Sequence, residues 1–162
     1  MCTPATENLE KANEWARVAD EVRLAEGETI LFVEDETFVR DVTCEVLRSA
    51  GYRVLTAKNA AEAGRLYHEH RSEVELLLSD VVLPGETGRV LAGRLRRENS
   101  KLKILLVTGY AEQMGLREAK PEECLAKPFS AEVLLRTVRQ LLDRGETRMG
   151  TENLVRPACD NA

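Results

Sequence analysis

Val74-Glu-Leu-Leu-Leu-Ser-Asp80, running on into Val81-Val-Leu-Pro84 and Gly85-Glu-Thr-Gly88, is the stretch that decides the architecture. Its first half is a short, nearly continuous apolar run, the signature of a strand covered on both faces. Pro84, Gly85 and Gly88 make the second half a loop. Val90, Leu91 and Leu95 then return at helical spacing. A buried strand therefore delivers one carboxylate, Asp80, to a loop that leads into a helix.

The same alternation continues on either side. Upstream, Thr29-Ile-Leu-Phe-Val33 is a second short apolar strand, and a helix follows from Glu36 with Val39, Val42 and Val46 on one stripe and Gly51 as its stop. Tyr52 to Thr56 reads as the next strand, and Asn59 caps a helix carrying Ala60, Ala63, Leu66 and Tyr67. Downstream, Leu102-Lys-Ile-Leu-Leu-Val107 is a fourth strand that ends at Thr108-Gly109. A weakly patterned helix over 111–118 is closed by Pro121, and Glu123 to Ala126 makes a fifth strand. A last helix starts at capping Ser130 and is expected to bury Val133, Leu134, Val138, Leu141 and Leu142. Strand–helix units in such succession imply an α/β fold, a parallel sheet with helices on both faces.

The outer segments differ. Residues 1–27 read as an N-terminal helical extension with a thin stripe of Leu9, Ala12, Ala16 and Ala19 beside Trp15, suited to weak docking or to pairing with a second copy. Residues 28–143 form the main domain, and 144–162 are polar, aperiodic and expected to be a flexible tail. The chain's 162 residues, 43% of them hydrophobic, suit one core, and a net charge of −5 speaks against generic attraction to nucleic acid or anionic membrane. Its four cysteines, Cys2, Cys44, Cys124 and Cys159, show no metal-ligand spacing. With no long apolar run and no secretion signal, a cytoplasmic location is expected.

In parallel α/β folds reactive groups lie at the carboxyl ends of the strands. Those ends carry Glu34-Asp35, Asp80, Thr108 and Lys127. Carboxylates crowded in one crevice raise each other's pKa unless a cation neutralises them, and an oxygen-only donor set suits Mg²⁺. Lys127 adds a fixed positive charge, and Thr108 adds a hydroxyl that can donate to an incoming oxygen. An aspartate held by such cations is a nucleophile whose acyl phosphate the same cations stabilise.

Val33-Glu-Asp-Glu36, Leu77-Leu-Ser-Asp-Val-Val-Leu-Pro84, Val107-Thr-Gly-Tyr110 and Leu125-Ala-Lys-Pro-Phe129 together resemble the successive signatures of the response-regulator receiver domain, the phosphoacceptor of bacterial two-component systems. The resemblance covers about 28–143. It implies the single-domain, chemotaxis-regulator type of fold: a flavodoxin-like, doubly wound five-stranded parallel sheet in the order 2-1-3-4-5 with five flanking helices. It implies phosphorylation of Asp80, Mg²⁺ held by Asp35 directly, by Glu34 through water, by Asp80 and by the backbone carbonyl of Val82, and roles for Thr108 as switch hydroxyl and Lys127 as the phosphoryl's lysine. The Lys127–Pro128 bond is expected to be cis. The implied donor is a sensor histidine kinase or histidine phosphotransfer protein, with an unknown downstream protein target and no direct DNA binding. The chain would assist only its own phosphorylation and slow dephosphorylation, and the N-terminal helix is a candidate for dimer formation.

The sequence also departs from that family. Cys124 stands three residues before Lys127, where many receivers carry an aromatic that follows the threonine, so the output path is open; Tyr110 is a candidate substitute. Glu34 replaces the more common Asp. Taken singly, Asp35 also reads as a helix cap and Lys127 as a surface lysine. Two other classes compete: a phosphorylation-independent interaction module with the same fold, and an aspartate-nucleophile phosphohydrolase. The phosphohydrolase needs a second acid two residues after the nucleophile, where this chain has Val82.

Overall fold

The computed structural model describes residues 25–109 and 123–144. In chain order the elements are β1 (Thr29–Val33), α1 (Thr37–Ser49), β2 (Arg53–Ala57), α2 (Ala60–Glu69), β3 (Val74–Asp80), α3 (Gly88–Glu98), β4 (Lys103–Thr108), β5 (Cys124–Ala126) and α4 (Ala131–Asp143). All strands pair in parallel, in the order β2-β1-β3-β4-β5. This is the doubly wound, flavodoxin-like arrangement expected from the sequence. Of the flanking helices, the one expected over 111–118 lies outside the described residues, as do nearly all of the N-terminal extension and the tail beyond residue 144.

Strand periodicity divides the core in two. Ile30, Phe32, Leu76, Leu78, Leu105 and Val107 face α1 and α4, where Leu47, Leu134 and Val138 meet them. Leu31, Val33, Leu77, Ile104 and Leu106 face the other way, against Tyr67 of α2 and Leu91 and Leu95 of α3. β1 and the apolar part of β3 are covered on both faces, which is why they read as continuous apolar runs rather than alternating ones.

Local signals hold at the helix ends. Asn59 accepts from the Glu62 N–H at 2.8 Å, and Ser130 from the Val133 N–H at 3.2 Å. Gly51 takes φ 94° just after α1, a conformation other residues avoid. Three helix faces differ from expectation, and Val42 of α1 and Val90 of α3 are 43% and 58% exposed. Val133 is 46% exposed, and Leu135 is buried in its place. The stripe Leu134, Leu135, Val138, Leu141 and Leu142 spans one face of α4, and Val133 falls off its edge. β2 also starts one residue later than its sequence pattern suggests, with Tyr52 buried just before it.

Candidate functional site

The pleat itself assembles the site. Successive strand residues point to opposite faces, so Glu34 continues the alternation of Ile30 and Phe32, Asp80 that of Leu76 and Leu78, and Lys127 that of Leu125. Three side chains distant in sequence therefore emerge on the α1–α4 side of one sheet rim. Thr108 follows Ile104 and Leu106 of the opposite alternation. Register aligns the ends: Val33 pairs with Ser79, Asp80 with Val107, and Thr108 with Ala126.

Lys127 is the centre of the contacts. Its Nζ lies 2.6 Å from Asp80 Oδ2 and 3.3 Å from Glu34 Oε2. Its backbone N–H donates to the Thr108 carbonyl at 2.8 Å, which ties β5's end to β4. The other Asp80 oxygen, Oδ1, accepts the Val82 N–H at 2.8 Å, and Glu34 Oε1 accepts the Glu36 N–H at 3.1 Å. Lys127 is thus no ordinary surface lysine; it links two nearly buried carboxylates. The Lys127–Pro128 peptide is cis.

Electrostatics follow from burial. Desolvation raises the Glu34 carboxyl above the ordinary range; the Glu36 N–H and the Lys127 charge oppose this, and the Asp80 charge adds to it. Burial alone would lower the Lys127 ammonium, but its hydrogen bond to Asp80 and the charges of Asp80 and Glu34 outweigh that and raise it. Thr108 is buried at the end of β4.

Asp35 is exposed at the same rim and is not a helix cap, because the cap position of α1 is Glu36, whose side chain caps nothing. Val82 is exposed on the loop after Asp80. Among the described residues, no three His, Cys, Asp or Glu side chains are grouped as a metal cluster. Mg²⁺ does not need such a cluster, since it keeps several waters and binds through one or two carboxylates. The hard oxygen donors here, Asp80, exposed Asp35 and a loop carbonyl, are of the kind that fits that ion; both oxygens of Asp80 and both of Glu34 already accept hydrogen bonds.

Two residues that sequence reading did not assign to the site also shape it. At Gly88 an added Cβ would lie 2.0 Å from the Asp80 carbonyl oxygen and 2.7 Å from Ser79 Oγ, so α3 begins in direct contact with the end of β3. Arg40 reaches back from α1 to the carbonyl of Glu34 at 2.9 Å. Nothing in the sequence flags Arg40, because its partner is main chain.

Comparison with known proteins agrees with this fold. Residues 30–139 match the model of the response regulator receiver domain, and the chain belongs to that family. It is similar to the sensor kinase CckA of Brucella abortus, 36% identical over 124 residues, covering 75% of this chain and 13% of that protein. It is also similar to the phosphate regulon transcriptional regulatory protein PhoB of Pseudomonas aeruginosa, 33% identical over 124 residues, covering 73% of this chain and 53% of that protein. The chain thus spans only part of these curated relatives. Among solved structures, the receiver domain of the hybrid histidine kinase CckA superposes with a TM-score of 0.60 at 34% identity, over 70% of this chain and 98% of that one. A CheY-like receiver domain protein from Methanospirillum hungatei gives 0.65 at 29% identity, over 74% and 96%. Among the described residues no helix is long and apolar enough to cross a membrane.

Proposed function

We propose that the chain accepts a phosphoryl group onto Asp80 from the phosphohistidine of a sensor histidine kinase or histidine phosphotransfer protein, and that this switches its protein-interaction surface. The observation that carries the reading is the Lys127 ammonium 2.6 Å from Asp80 Oδ2 at the carboxyl rim of the sheet. An Asp80 oxygen attacks phosphorus, the P–N bond of the donor breaks, and the imidazole leaves with the electron pair. The Val82 N–H orients the carboxylate, Lys127 offsets charge gathering on the phosphoryl oxygens, and Thr108 donates its hydroxyl to one of them. Mg²⁺, held by Asp35, Asp80 and the Val82 carbonyl with Glu34 as its water-mediated neighbour, would neutralise the remaining charge. An apolar groove lined by Phe38, Val42, Phe129 and Leu134 opens beside Lys127 and offers the donor protein a surface to rest on.

The chain assists only its own phosphorylation and slow hydrolysis. Output runs through the surface next to Thr108 and Lys127, to a protein target rather than to DNA, from a cytoplasmic location. Pairing through the N-terminal extension concerns residues outside those described. Labelling with acetyl phosphate or a phosphorylated kinase, read by intact mass, tests the assignment: Asp80→Asn takes up no label. A variant labelled as fully as the wild type, at another residue, refutes it.

A second reading, a phosphorylation-independent interaction module, draws support from Cys124, whose small side chain packs against the α2–α3 face at the position where many receivers carry an aromatic. A wild-type chain that takes no label yet binds its partner selects that reading.

A further inference from the structure

The acidic rim sits on a connection of three residues, Glu34 to Glu36, that lacks the usual helix cap. Two hydrogen bonds hold it from its own side: the Glu34 N–H donates to the Ala57 carbonyl at 3.0 Å, and the Glu36 N–H to Glu34 Oε1 at 3.1 Å. The second holds the Asp35–Glu36 peptide, but neither holds the Glu34–Asp35 peptide. Arg40, one turn into α1, reaches it. Its Nη1 donates to the Glu34 carbonyl at 2.9 Å and stands 3.4 Å from the Asp35 carbonyl, while Nη2 lies 3.5 Å from Thr37 Oγ1. The first is a full hydrogen bond, and the two longer contacts keep the flat guanidinium spread across the turn.

We propose that Arg40 is a positioning residue for divalent-cation binding: its guanidinium grips the consecutive carbonyls of Glu34 and Asp35 and so aims the exposed Asp35 carboxylate into the site. The proposal rests on the reading of Asp35 as a Mg²⁺ ligand. Its sign separates it from a purely electrostatic role. A cation beside a metal site repels the metal, so if charge were all that mattered, removing Arg40 would tighten Mg²⁺ binding. If the fork positions Asp35, removing it weakens binding, as loss of an outer-shell partner does elsewhere. Lysine keeps the charge but lacks the planar guanidinium, whose Nη1 meets both carbonyls while Nη2 rests against Thr37, so Arg40→Lys isolates the geometric part.

The test is Mg²⁺ titration of the full chain by calorimetry, for the wild type, Arg40→Met, Arg40→Lys and Asp35→Asn, with amide NMR spectra to verify that each variant is folded. Binding about tenfold weaker in Arg40→Met is expected. Arg40→Lys should be weakened too, and Asp35→Asn should lose the site. Wild-type or tighter affinity in Arg40→Met overturns the positioning role while leaving the metal site standing. Wild-type affinity in Asp35→Asn overturns the underlying reading, and the role of Arg40 with it. Should Arg40→Met fail to fold, Arg40→Lys decides alone: undiminished affinity overturns the proposal.

Discussion

A single methyl group probes how closely the first turn of α3 seats against the strand that carries Asp80. At Gly88 the added carbon would meet the Asp80 carbonyl oxygen and carbonyl carbon at 2.0 and 2.9 Å, and main chain cannot step aside as a side chain can. The Gly88 N–H also donates to the Val81 carbonyl at 3.0 Å, which pins the turn in place. Gly88→Ala is therefore expected to lose about 3 kcal/mol of stability, the upper end of overpacking costs. Urea unfolding measures this, and a loss near zero would mean that α3 is free to back away. The sequence marks Gly88 only as a loop residue, since close approach by another element leaves no trace in local composition.

At the scale of elements, the opposite edge of the sheet is closed by an ion pair between β1's entry and α4. Arg139, 7% exposed, donates through Nη1 to Glu28 Oε1 at 2.6 Å and through Nε to Asp143 Oδ1 at 3.0 Å. Burial alone would raise the Glu28 carboxyl, but the Arg139 hydrogen bond, the Glu28 and Glu26 backbone N–H groups and the Arg139 charge together hold it below its ordinary 4.5. A carboxyl depressed in the folded state stabilises the fold above the unfolded-state value, and that stability is lost as pH falls. The contribution is thus complete above about pH 4.5 and declines below it, through the depressed folded-state pKa. Arg139→Met strands a nearly buried carboxylate and is expected to cost about 3 kcal/mol at neutral pH. Because acid then neutralises that stranded group, the gap between variant and wild type should narrow on acidification. Thermal unfolding across pH measures both, and a gap that stays constant would show that Glu28 does not feel Arg139.

Across the whole molecule the two edges of the sheet have divided tasks. The carboxyl rim gathers groups whose charges need a further partner, Glu34, Asp80 and Lys127, whereas the amino edge holds a closed ionic clamp. Between them lie two apolar layers, which separate the two charged groups by the length of the strands. Beryllofluoride with Mg²⁺, a stand-in for the acyl phosphate, is therefore expected to shift amide NMR signals at residues 34–36, 80–82, 108–109 and 127 and to leave Glu28 and Arg139 nearly unmoved. Shifts of equal size at both edges would show that the sheet relays the change as one body, and would remove the basis for confining the switch to the rim.

Sequence alone determined the parallel α/β class, the strand order through the family resemblance, and the identity of the rim residues. It could do so because buried strands read as apolar runs and the chain turns polar where each one ends. Tertiary structure decided what those residues touch. Only the pleat shared by β1, β3 and β5 brings Glu34, Asp80 and Lys127 to one side, and only the fold occupies both Glu34 oxygens while leaving Asp35 at the surface. The same holds for Val133, which has the composition of a core residue and lies outside the core. Helical spacing determines which residues share a face, but whether a position at the edge of that face is covered depends on how the helix is rotated against the sheet, and that is set by contacts far away along the chain.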